Sequence, residues 1–174
     1  MTQSNQSLSF PEAISATQEL ITKMEQNQLD ETETEQAIAK LIQTQAGARG
    51  FFVAYLTGES ALADNPTQGV IKGLHSSPEI VSDLLVKNVA MSAAMKLTHL
   101  RNEDKDAAAG SQMVNSRTIK LIQQLKMKEV EQEARKLQST IIKGEGSYQK
   151  FLTRWGYDKE QQVKIQEAIS SIQY

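Results

Sequence analysis

Few residues in this chain are equipped for chemistry, and three of them line up. Asn88, Ser92 and His99 lie four and seven positions apart, which on a helix places them within about 40° of one another. Val81, Leu84 and Met95 flank them on that side. An amide, a hydroxyl and an imidazole in apolar surroundings need hydrogen-bond partners. One reading is a ligand pocket in which His99 is a switchable donor or base. The other is a satisfied core network that fixes the helix register, and the general pairing of buried polar groups inside proteins favours it.

Three further groups invite a functional reading, each with a plainer structural one beside it. Gly47-Ala48-Arg49-Gly50-Phe51-Phe52 sets Arg49 between glycines, an arrangement that admits a phosphate or carboxylate at a helix N-terminus. It matches neither the phosphate-loop nor the dinucleotide pattern, and glycine more often serves close packing, with Arg49 then set against an internal acid. Arg117, Lys120, Lys128, Arg135 and Lys136 form a basic stretch diluted by Glu129, Glu131 and Glu133. With no aromatic residues interleaved, it reads as a solvated face, and no nucleic-acid partner is expected. Tyr148, Phe151, Trp155 and Tyr157 concentrate aromatic mass near the C-terminus. Such anchors centre many interfaces, although at helical spacing they usually form core.

Nothing in the sequence reads as a catalytic set. His75 and His99 have no thiols or acidic cluster nearby to complete a zinc site. Asn102–Asp106 lacks the spacing and glycine of a calcium loop. No metal, cofactor or catalytic residue is therefore expected.

The elements that must position these residues are helical. Ser9-Phe10-Pro11-Glu12 is a capping box opening a helix over 10–27. Asp30 with Glu33 opens a second, with Ile38, Leu41 and Ile42 as its apolar stripe. Gly47 and Gly50 are expected to interrupt. The apolar run 51–57 reads as a buried helix, with a strand as the competing assignment. Residues 58–65 read as a loop, and Asn65-Pro66 as the start of a short helix over 66–74. Ser77-Pro78-Glu79 begins the longest segment, 78–102, apolar around most of its circumference and so expected to be central. Beyond the charged connector at 102–106, the apolar faces before and after residue 126 diverge by roughly 160° at the helical pitch. That favours a break at 126–128 over one long helix. Gly144 and Gly146 read as a cap and turn, Gly156 closes a short aromatic helix, and Asp158 opens a final one over 159–172.

The whole is expected to be an all-α, single-domain bundle of seven to nine helices over 9–174, preceded by a disordered tail at 1–8. A chain of 174 residues suits one domain that buries roughly 70% of the surface its unfolded chain exposes. It has no cysteines, which excludes disulfides and thiolate metal sites and agrees with a reducing compartment. No signal segment and no run long enough to span a bilayer is legible, so a soluble cytoplasmic protein without membrane insertion is expected. The net charge of −2 is uneven, with −5 on residues 1–46 and +4 on residues 112–143. That asymmetry suits internal complementarity or a partner surface.

The strings GARGFFVAYLTGE at Gly47–Glu59, SSPEIVSDLLVKNVAMSAAM at Ser76–Met95 and FLTRWGYD at Phe151–Asp158 resemble a group of uncharacterised helical proteins of cyanobacteria. The resemblance implies a bacterial cytoplasmic setting and transfers no functional residue. Function is thus expected to be non-enzymatic: protein–protein interaction, regulation or assembly, through a partner or self-association as in a homodimer. The alternative is a small-molecule-binding helical domain that uses Asn88, Ser92 and His99.

Overall fold

The computed structural model describes residues 7–174, and every regular element among them is helical. The order is α1 (Phe10–Glu25), α2 (Glu31–Leu41), α3 (Gln45–Thr57), a 3₁₀ turn (Ala61–Asp64), α4 (Gln68–Leu74), α5 (Pro78–Arg101), α6 (Lys105–Leu125), α7 (Lys128–Lys143), α8 (Gln149–Trp155) and α9 (Lys159–Ser170). The run at 51–57 is helix, not strand. None of these helices is long and apolar enough to cross a membrane. Most of the expected tail, residues 1–6, lies outside the described residues; Ser7–Ser9 are exposed and irregular.

The chain forms two compact units, Met1–Val81 and Ser82–Tyr174. In the first, α1 packs on α3 and α2 packs on α4. Reciprocal capping boxes at Ser9/Glu12 and Asp30/Glu33 start α1 and α2. They satisfy backbone N–H groups that a helix start otherwise leaves open. Gly47 and Gly50 do not interrupt: both lie inside α3, which Thr44 caps through Gly47 N. Gly50 is a contact point rather than a breaker. A Cβ there would meet the Ala13 Cβ at 2.5 Å and the Phe10 carbonyl oxygen at 2.9 Å. Gly73 does the same for the second pair, where a Cβ would lie 2.9 Å from the Ile38 Cβ. Small residues thus bring each helix pair close enough to bury Ala13, Ile38, Phe51, Val70 and Leu74 almost fully. The helix expected from Asn65-Pro66 begins later, because Thr67 supplies the capping hydroxyl to Val70 N.

In the second unit, α5 is hydrogen-bonded to α6, α8 and α9 through its side chains and carbonyls. Its Leu85, Val86, Val89 and Ala90 are fully buried. The break expected after residue 125 is present: Lys126 takes a left-handed conformation, φ 48°, with neither glycine nor proline there. The turn lets Leu121, Ile122 and Leu125 of α6 and Val130 and Leu137 of α7 all reach core. Their faces on one straight helix would diverge.

Gly50→Ala is expected to destabilise the protein by about 1–3 kcal/mol through overpacking against Ala13, despite a helix-propensity gain of about 1 kcal/mol. Gly110 lies in α6, where an added Cβ would meet nothing within 4 Å. Gly110→Ala should stabilise by about 0.5–1 kcal/mol. Urea unfolding followed by circular dichroism measures both.

Candidate functional site

The chemistry of the second unit gathers around α8. Tyr148 precedes this helix and is only 3% exposed. Its hydroxyl donates to Glu133 Oε2 at 2.7 Å and lies 3.4 Å from Asp83 Oδ1. Each carboxylate has a lysine one helical turn away: Lys87 Nζ is 2.8 Å from Asp83, and Lys136 Nζ is 2.7 Å from Glu133. Lys87 also sits 5.8 Å from the centre of the Phe151 ring. Burial, then the hydrogen bond to Glu133 and the charge of Asp83, push the Tyr148 phenol far above its usual range. It is therefore a proton donor that stays protonated. Burial alone would raise Glu133, but hydrogen bonds from Lys136 and Tyr148 outweigh it and hold the carboxyl below its usual range. The Glu133 hydrogen bond raises Lys136.

The start of α9 is fixed by a second polar group. Asp158 caps α9 and also pairs with Arg101 at 2.7 Å, and Arg101 reaches Glu160 as well. The hydrogen bond from Arg101, then that from the Gln161 backbone, holds Asp158 below the usual carboxylate range. Gln161 completes the capping box and donates to Thr98 Oγ1 at 2.9 Å, tying α9 to α5.

Between α7, α8 and the start of α9 lies an open groove of 330 Å³, walled by Thr140, Ile141, Gln149, Leu152, Tyr157 and Gln162 among others. Gly144 and Gly156 also line it, each in the left-handed conformation that ends a helix. Three large apolar residues are exposed on the same three helices: Ile142 at 75%, Trp155 at 49% and Val163 at 50%. Each is the chain neighbour of a groove residue, namely Ile141, Gly156 and Gln162.

The residues singled out from sequence are divided by the structure. Of the aromatic group, Tyr148 and Tyr157 are core, Phe151 is half-buried with edge contacts to both, and Trp155 is exposed. The group is not buried as one: Trp155 ends the seven-residue α8 half-exposed, and Tyr157, beyond the left-handed turn at Gly156, is buried. Ser92 donates to the Asn88 carbonyl at 2.7 Å and accepts from Asn115 Nδ2 at 2.9 Å, so its hydroxyl is used within the fold. Asn88 and His99 are half-buried on the same helix, and none of the three lines the groove. Arg49 is exposed, with its guanidinium 5.0 Å from the Phe10 ring centre rather than on an internal acid. In the basic stretch, Arg135 and Lys136 pair with Glu131 and Glu133, and Arg117 is buried. Among the described residues no three His, Asp or Glu side chains are grouped to hold a metal ion.

Sequence reasoning missed Asp83, Glu133, Thr140, Gln149 and Gln162. Asp83 and Tyr148 are separated by 65 residues, so no spacing rule connects them. The groove had one legible signal: Gly144 and Gly156, two helix-ending glycines on either side of the aromatic segment.

An all-helical chain with these features belongs to the family described as uncharacterised conserved protein UCP020893, whose model matches residues 9–172. No curated protein and no solved structure matches the chain.

Tyr148→Phe is expected to cost about 1–3 kcal/mol, because part-buried Glu133 loses a donor. The sign of the pH dependence follows from the lowered Glu133 carboxyl. Its stabilisation is complete above the usual carboxylate range and is lost as pH falls through the lowered value. Glu133→Gln should therefore shrink the loss of melting temperature between about pH 6 and pH 3, as measured by thermal unfolding across that range.

Proposed function

We propose that this protein acts by protein–protein association, as a non-enzymatic interaction or assembly protein in a cytoplasmic, cyanobacterial setting. The observation that carries the reading is the trio of exposed Ile142, Trp155 and Val163, one on each helix around an open groove. Single exposed apolar residues are ordinary. An exposed tryptophan beside a groove is the residue type that anchors interfaces.

Charge favours a second copy as the first partner to test. Met1–Val81 holds ten acids and four bases, whereas Ser82–Tyr174 holds eleven acids and fifteen bases. Two copies therefore offer each other surfaces of opposite sign, which speeds encounter and selects orientation.

Sedimentation velocity across a concentration series is expected to show reversible association. Trp155→Ala should weaken it by about 2 kcal/mol, roughly thirtyfold. Raising salt from about 0.05 to 0.5 M should weaken it further, as screening removes the charge complementarity. A chain that stays monomeric throughout, with the same crosslinked partners in the native and Trp155→Ala proteins, would refute the reading.

A further inference from the structure

We infer that the groove between α7, α8 and α9 is a binding site for a small neutral molecule carrying a carboxamide-like pair of hydrogen-bonding groups, an acceptor beside a donor. The inference goes beyond the association proposed above: it concerns a ligand held inside the groove by one chain, whereas the association rests on Ile142, Trp155 and Val163 around that groove.

Tyr157 is the decisive residue. It is 8% exposed, and its ring packs edge-on to Phe151 at 6.0 Å. Its hydroxyl has no hydrogen-bond partner among the described residues, yet no fully enclosed side-chain nitrogen or oxygen there lacks one. The hydroxyl therefore keeps an open side, and Tyr157 is a wall of the groove. A buried phenol is normally bonded to the protein that buries it. Tyr148, a few residues earlier, follows that rule through Glu133. Tyr157 instead holds a donor in reserve. Its proton is not easily lost, because burial pushes the phenol up to about 12.

An acceptor belongs to the same groove lining. Gln162 Nε2 donates to the Tyr157 backbone carbonyl at 3.0 Å. A carbonyl only accepts, so this contact fixes which end of the amide is nitrogen and leaves Oε1 as an acceptor. Gln162 also walls the groove, and Ile141 and Leu152 add apolar surface. No charged side chain among the described residues lines it. A charged ligand would find no counter-charge in that lining, whereas a carboxamide has one group to accept from Tyr157 and another to donate to Gln162. The volume, 330 Å³, is at the small end of ligand sites, which run from about 300 Å³ upward.

The test uses cyclohexanecarboxamide, with cyclohexanecarboxylate and cyclohexylmethylammonium as charged counterparts of similar size. Binding is followed by the backbone amide resonances of Gly144 and Gly156 and by fluorescence of the single tryptophan, Trp155. The carboxamide should give saturable shifts at about millimolar concentration, as expected for so small a ligand. Tyr157→Phe keeps the ring and removes only the hydroxyl. It should leave the melting temperature unchanged and weaken binding about fivefold. N,N-dimethylcyclohexanecarboxamide lacks the N–H donor and should bind the unaltered protein about fivefold more weakly, which tests the site without any variant. The inference is overturned if the carboxamide gives no saturable shift, if a charged counterpart binds as well, or if removing neither hydroxyl nor N–H changes affinity.

Discussion

A phenol placed between two carboxylates, each answered by a lysine one turn along its own helix, ties α5, α7 and the start of α8 to one point in the second unit. Tyr148 joins Glu133 of α7 to the start of α8 and comes within reach of Asp83 on α5. Without a shared donor, two negative groups drawn toward one buried position would repel each other. Lys87 and Lys136 balance the charge, and both stay part-solvated, so the group avoids the desolvation penalty of a fully buried ion pair. The Tyr148 backbone is held as well, its N–H donating to Thr140 Oγ1. With the ring and main chain both fixed, α8 has a set start. The groove beside it has one wall in α7 and another in α8.

The other edge of that groove depends on polar groups that each serve twice. Asp158 caps α9 while pairing with Arg101, and Gln161 completes the cap while bonding Thr98. One pair of residues thus starts a helix and docks it on α5. Exposed ion pairs contribute little by themselves; here the pair also fixes where α9 begins. Tyr157 and Gln162 flank that start, which is how a buried tyrosine and a glutamine come to face one opening.

The first unit is held by contrasting means. Its helix pairs meet closely at Gly50 and Gly73, where an added Cβ would run into Ala13 and Ile38, so close packing sets their separation. Glu31 adds a polar link between α2 and α4 by accepting from Gly69 N at the start of α4. The family model matches from residue 9 to 172, so both kinds of construction fall within the matched chain.

The sequence alone determined the helical class, the capping box at Ser9, the helix starts at Asp30 and Asp158, the long apolar segment of α5 and the break before α7. These rest on interactions between residues three or four apart, or on the direction of an apolar stripe, and such information is local. It misplaced the starts of α3 and α4, because Thr44 and Thr67 cap in preference to the more conspicuous glycines and Asn-Pro. Only the tertiary structure decided which residues Gly50 and Gly73 pack against, that Ser92 is engaged by Asn115, and that Trp155 is exposed while Tyr157 turns in. It alone brought Asp83, Glu133 and Tyr148 together and set Tyr157 and Gln162 in the lining of one groove. Each of these outcomes depends on which surface of one helix meets another, and side chains distant along the chain set that geometry.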